Sequence, residues 1–207
     1  SSPAGGTAWL APVRLPGHPY AGWDTNPELI VDANDGVHGV WNGERTGGSQ
    51  HTVGYSYRES QSSAWSAFTE VGSEPVALAP SVSVDSNGTR HLACYLNISG
   101  SWQIYYWHKP LGGAWSARET VSSDAGYSQQ KASIVIDSKN GAHAVWQGLD
   151  AANPANFQIK YSSPAAGGTG WTAPQNIQTL AGAPQPAPPA AVDAADNLHV
   201  VWVGSDT

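Results

Sequence analysis

The sequence predicts an all-β chain assembled from four-stranded antiparallel repeats of about 50 residues. Three observations predict it. An aspartate is followed six residues later by a histidine and three after that by a tryptophan, at Asp32–His38–Trp41, Asp137–His143–Trp146 and Asp193–His199–Trp202, with a cysteine in the last place at Asp85–His91–Cys94. The four aspartates fall 53, 52 and 56 residues apart. A second marker, Trp-x-Ala, keeps step with them at Trp9, Trp65, Trp115 and Trp171. One small sheet cannot bury both of its faces, so such repeats must stack on one another. That is the blade construction of a β-propeller.

Each repeat divides into four strands. The first ends at the aspartate, at 28–32, 81–85, 133–137 and 190–193. A turn follows with Asp35-Gly36, Asn87-Gly88, Asn140-Gly141 or Asp196-Asn197, pairs that tolerate positive φ and suit a tight hairpin. The second strand holds the histidine: VHGVW, RHLAC, AHAVW and LHVVW. The third pairs an apolar residue with a tyrosine, Val53 with Tyr55, Ile104 with Tyr106 and Ile159 with Tyr161. The fourth opens at Trp-x-Ala and ends near Val71, Val121 or Ile177.

The chain therefore reads as a single array over 1–207, with about four blades. It comprises a lone fourth strand at 1–15, blades at 27–72, 79–122 and 131–178, and a partial blade at 187–207. The partial blade leaves an open edge that invites pairing with another chain. Two readings stay open: a piece of a larger ring, or a subunit whose ring is completed by self-association. The start at Ser1, without methionine or signal segment, suits a mature product or an excised piece.

Composition narrows the partners. The 23 Gly, 15 Pro, 10 Trp and 8 Tyr suit tight turns and aromatic-anchored strands. Net charge is −7, and nine Lys plus Arg are scattered singly, so neither nucleic acid nor an anionic membrane surface is an expected partner. No apolar run approaches the ~18 residues of a membrane span. Cys94 has no second cysteine to pair with and reads as a small core hydrophobe. No Cys/His cluster has ligand spacing, and the turn DANDG is too short for a calcium loop, so neither metal nor other cofactor is expected. Four identical Asp–His stations read as architecture, an imidazole–carboxylate hydrogen bond closing each turn, rather than as a catalytic site.

The repeat consensus is an apolar strand ending in Asp, a Gly turn, His-x-Val-Trp, an apolar-x-Tyr strand and then Trp. Over essentially the whole chain it resembles the sialidase-type, BNR-like β-propeller repeats of bacterial surface and secreted proteins. It is also similar to the repeats of bacterial propeller lectins that hold sugars between blades. The resemblance implies an extracellular or cell-surface protein. It does not extend to the sialidase active site. The nearest string to that family's Asp-box, Ser83–Arg90 (SVDSNGTR), has one residue too many and no Trp, so no sialidase catalytic residue is carried over.

Ligand-binding residues are expected where the repeats differ, on the rim shared by the fourth-to-first and second-to-third strand loops. The first linking loop supplies Tyr20, Trp23 and Asp24, and its third counterpart supplies Tyr127 and Gln129. The second-to-third loops add Asn42, Glu44 and Arg45, then Trp102, then Asp150. Aromatic faces bordered by carboxylates and amides suit sugars, whose C–H faces stack on rings while hydroxyls bridge polar groups. The expected function is non-enzymatic carbohydrate binding or adhesion, with a glycan or polysaccharide as partner. Two alternatives stand beside it. One is part of a polysaccharide-degrading propeller, with Asp24, Glu28, Glu44 and Asp150 as acids and His18, His51 and His108 as bases. The other is a structural repeat of a surface assembly.

Overall fold

The computed structural model describes residues 11–17, 22–44, 51–60, 64–72, 76–98, 100–165, 170–178 and 188–203. These form fourteen β-strands and no helix. The first sheet runs β1 (Asp24–Val31), β2 (Val37–Glu44), β3 (His51–Arg58) and β4 (Thr69–Val71). The second runs β5 (Ala77–Val84), β6 (Arg90–Ile98), β7 (Ser101–Lys109) and β8 (Glu119–Thr120). The third runs β9 (Gln129–Ile136), β10 (Ala142–Gly148), β11 (Gln158–Ser162) and β12 (Gln175–Gln178). A two-stranded sheet of β13 (Ala190–Val192) and β14 (Leu198–Val200) follows. Every pairing between consecutive strands is antiparallel, so each sheet is a meander and a propeller blade. The lone strand expected at 1–15 lies outside the described residues up to residue 10, and 11–17 run without regular structure.

The period of two along each strand sorts side chains between two interfaces. On β6, Leu92, Cys94 and Leu96 join Val40, Val53, Tyr55 and Val71 in a core between the first two blades. The intervening Ala93, with Ile104 and Tyr106, joins Ala132, Ile134, Ala144 and Trp146 in a core between the second and third. The second blade is therefore buried on both faces.

The aspartate–histidine pairs close the turns, and in the first three blades a tyrosine completes the relay. His38 Nε2 lies 3.0 Å from Asp32 Oδ2, while Nδ1 lies 2.8 Å from the Tyr55 hydroxyl. His143 repeats this with Asp137 at 3.2 Å and Tyr161 at 2.8 Å. In the second blade His91 Nδ1 lies 2.6 Å from Tyr106, but Nε2 stands 3.5 Å from Asp85, an ion-pair separation rather than a hydrogen bond. A carboxylate only accepts, so Nε2 carries the proton and Nδ1 accepts from the phenol. The other aspartate oxygen receives two backbone N–H groups of its own turn, Asn34 and Gly36 in the first blade. The residue with positive φ is always the third after the aspartate: Asp35, Gly88, Asn140 and Asp196. The glycines Gly36 and Gly141, one place later, do not have it.

The Trp-x-Ala marker corrects one expectation. It does not open the fourth strand; β4, β8 and β12 begin four residues after Trp65, Trp115 and Trp171. The indole crosses to the preceding blade instead. Trp115 meets Tyr55 edge-on at 5.3 Å, and Trp171 meets Tyr106 at 5.0 Å. Inner strands are joined by a further repeated contact. Glu28 Oε1 accepts from Val82 N at 3.0 Å, Ser81 Oγ from Ile134 N at 3.2 Å, and Ser133 Oγ from Ala190 N at 3.3 Å.

Candidate functional site

On the loop rim of the first blade, the backbone of Trp23 pairs with Glu44, whose N–H donates to the Trp23 carbonyl at 3.1 Å. Gly22 makes that approach possible, because a Cβ there would lie 2.6 Å from the Glu44 carbonyl oxygen. The pairing starts β1 at Asp24 opposite Gly43. It leaves the Trp23 ring 80% exposed, the most exposed of the large apolar side chains described. Beside it, Asp24 and Arg14 line a cavity of about 260 Å³ together with Leu15, Pro16, Thr25 and Trp41. Trp23, Asp24 and Glu44 are thus brought together on one blade. Tyr20, Arg45 and His18 lie outside the described residues.

Asn42 shares the first blade but is turned into it, and the remaining described candidates sit on the second and third blades. Asn42 is fully buried: its amide donates to the Ala77 carbonyl and its oxygen accepts from Ala79 N at 2.7 Å, tying the first blade to the second. Trp102 lies edge-on to Tyr95 at 5.1 Å near the β6–β7 hairpin. Gln129 is also fully buried; it donates to the Leu149 carbonyl at 2.7 Å and accepts from Trp146 Nε1 at 2.8 Å. Tyr127 contributes its carbonyl, which accepts from Gln103 at 2.9 Å. No hydrogen bond joins a candidate on one blade to a candidate on another among the described residues. Asn42 and Gln129 therefore act as structural amides here, with no free polar group to offer a ligand.

Asp150 belongs to a charge cluster that the sequence reading missed. Lys160, only 3% exposed, reaches Asp150 at 2.9 Å and Asp124 at 3.1 Å. Desolvation pushes the Asp150 carboxyl up, but hydrogen bonds from Lys160, Asn176 and Asn153 outweigh it and hold the group below the usual carboxylate range. The available signal was a lysine inside a third strand, where the first two blades carry Gly54 and Tyr105.

Glu28 lines a cavity of about 350 Å³ with Asn26, Ala79, Tyr95 and Lys131. Asn26, Ala79 and Lys131 occupy matching places on the inner strands and all have positive φ. The register slips there in β1 and β5, so each carries a bulge that bends it at this cavity. Burial raises the Glu28 carboxyl above its ordinary value, against hydrogen bonds from Val82 and Ser81 that lower it. Among the described residues, no group of three His, Cys, Asp or Glu side chains is placed to hold a metal ion.

No protein-family model and no curated protein matches this sequence. Solved structures do match the fold. A protein of unknown function from Dyadobacter fermentans aligns with a TM-score of 0.66 at 14% identity, covering 89% of this chain and 58% of its own. An endo-arabinase from Bacteroides thetaiotaomicron aligns with a TM-score of 0.57 at 12% identity, covering 85% of this chain and 68% of the enzyme. An exo-1,5-alpha-L-arabinanase from a bovine ruminal metagenomic library gives 0.53 at 13%, covering 90% and 76%. The chain thus spans about 58% of the length of the first of these proteins. At such identities the likeness concerns the fold, an all-β array of propeller blades.

Proposed function

We propose that this chain is an extracellular, non-enzymatic carbohydrate-binding module of the sialidase-type, BNR-like propeller class, with its sugar site on the loop rim of the first blade. The observation that carries the reading is the exposed ring of Trp23, whose backbone is paired to Glu44 and which stands next to Asp24 and the Arg14 cavity. Trp41, Trp107 and Trp146, by contrast, are buried among the strands, where packing accounts for them. An exposed aromatic face beside carboxylates offers stacking for a pyranose and acceptors for its hydroxyls. The fold neighbours include an endo-arabinase and an exo-1,5-alpha-L-arabinanase, which agrees with a carbohydrate partner without distinguishing binding from cleavage.

Binding is preferred over cleavage because the carboxylates in protected positions are already engaged. Glu28 holds the second blade through Ser81 and Val82, at a place where the next two blades use serine for the same contact. Asp150 is held ionised by Lys160. Neither is left as a free acid opposite a second free carboxylate. The test is a glycan and polysaccharide screen on the chain with product release read from the same wells. Saturable binding without new chain ends, lost in Trp23→Ala while thermal stability holds, is the expected result. Cleavage products, or binding that survives Trp23→Ala, would overturn it.

A further inference from the structure

A cavity of about 640 Å³ opens on the opposite rim from Trp23, between the first and second blades. We infer that it binds the acidic group of an anionic saccharide, through Arg58, Arg90 and Lys109 on its wall. The chain has nine cationic side chains and a net charge of −7, yet three of the nine line this one cavity. Among the described residues, none of the three is ion-paired with a carboxylate.

Arg90 lies at the junction of the two blades. It is 6% exposed. Its Nε donates to the Tyr55 hydroxyl at 3.2 Å and one terminal nitrogen donates to the Gly88 carbonyl at 2.8 Å, while its guanidinium lies 5.4 Å from the centre of the Tyr57 ring. Those contacts fix the plane of the fork but supply no countercharge. A buried charge without one is costly, and an incoming anion removes that cost. Arg58, beside it, has a buried Nε with no hydrogen-bond partner. A fixed guanidinium plane favours bidentate binding of a flat or tetrahedral oxyanion. Asp32 and Glu59, also on the wall, would accept from neutral hydroxyls of the same ligand. The volume falls within the range usual for small-molecule sites.

The repeats themselves separate this arrangement from architecture. The place of Arg90, immediately before the relay histidine, is held by Val37, Ala142 and Leu198 in the other blades. The place shared by Arg58 and Lys109, at the end of the third strand, is held by Pro164 in the third blade. At the next junction the Tyr106–His91 contact forms at 2.6 Å with Ala142 where the arginine would be. The relay therefore needs no arginine, and the junction of the first two blades is the one that gathers three cations.

That the anion is carried on a saccharide rests on the reading of the loop rim; the preference for an anion does not. The experiment measures binding of polygalacturonate, dextran sulfate and unsubstituted dextran to the intact chain at low and raised ionic strength. Preferential binding of either polyanion, weakened roughly tenfold or more by Arg90→Gln and by Arg58→Gln and also by salt, is expected. The two polyanions tell a carboxylate from a sulfate ligand. Lys139→Gln removes an exposed cation elsewhere and should leave binding unchanged. Arg58→Gln keeps the test usable if the buried Arg90 cannot be replaced without unfolding. Absence of polyanion binding, equal binding of unsubstituted dextran, or equal weakening by Lys139→Gln would overturn the inference. Loss of neutral-glycan binding in Trp23→Ala is a separate readout, so the two readings fail independently.

Discussion

Replacing Trp146 by alanine should cost far more than the same change at its repeat partner Trp41. Trp146 has no exposed surface and packs in the core between the second and third blades. Its indole N–H also satisfies the buried oxygen of Gln129 at 2.8 Å. Truncating a buried tryptophan costs about 3–5 kcal/mol, and stranding a buried acceptor adds about 1–3 kcal/mol. Because the new cavity relieves part of the second cost, the combined loss should be about 4–6 kcal/mol, a large share of a typical domain's stability. Trp41 projects from the far side of the first blade, where among the described residues Phe68 and the 11–17 segment flank it and the cavity beside it already exists. Its loss should cost about 1.5–3 kcal/mol, near the transfer value alone. Trp146→Phe keeps most of the volume and isolates the stranded Gln129 oxygen at about 1–3 kcal/mol. Urea unfolding followed by circular dichroism, with unchanged denaturant slope, measures all three. If Trp41→Ala costs as much as Trp146→Ala, or if Trp146→Ala stays within about 1 kcal/mol of wild type, the stacked-blade account is wrong.

Two further outcomes follow from the charged groups. Burial lowers the pKa of His38 and His91 below the ordinary 6.5. The unfolded chain takes up those protons near that pH and the folded chain does not, so stability is full above it and falls as pH drops below it. For Asp32 and Asp137 desolvation is outweighed, by hydrogen bonds from His38 and the turn amides in one case and from Gly141 and His143 in the other, so both lie below 3.8 and a second loss sets in as pH falls through about 4. Urea midpoints across this range should show both stages, and His38→Asn should diminish the first; a flat profile between about pH 7 and 5 would contradict it. Separately, Asp124→Asn combined with Asp150→Asn leaves the Lys160 ammonium buried without a carboxylate and should cost about 3–5 kcal/mol by thermal or urea unfolding. Either single change should cost less, since one partner remains.

The fold was legible because its determinants recur. Asp32 and His38 reappear at every blade and Tyr55 at the first three, and a period near 50 residues exposes them without any knowledge of contacts. What recurrence could not reveal is direction. Trp115 reads as part of its own blade's fourth strand, yet its ring serves the preceding blade's Tyr55, and only a three-dimensional arrangement fixes which neighbour a side chain meets. The inner-strand bulges were illegible for a related reason. Asn26, Ala79 and Lys131 share a left-handed backbone but no residue type, and with Ala79 and Lys131 nothing in the side chain announces it. The candidate site was half legible: exposed Trp23 was reachable by asking where the repeats differ. The same question also returned Asn42 and Gln129, whose differences serve packing. A departure from the repeat thus marks a local demand, which is met inside the fold for some residues and outside it for others.

Cys94 and Trp107 show how to tell the two kinds of departure apart. The first and third blades place Trp41 and Trp146 two positions along the same face from Ser56 and Ser162. The second blade reverses the sizes, with Cys94 at the tryptophan's place and Trp107 at the serine's, and both lie in the core between the first two blades. A large residue lost at one point is returned at its neighbour, so the exchange conserves volume and asks nothing of a ligand. Arg90 has no such counterpart. Its charge replaces Val37 and Ala142 of the sister blades, and among the described residues no carboxylate ion-pairs with it, although Asp32 and Glu59 line the same cavity. A substitution balanced within the fold explains itself by packing. One left unbalanced on the wall of an open cavity points to something that arrives from outside, as at the junction of the first two blades.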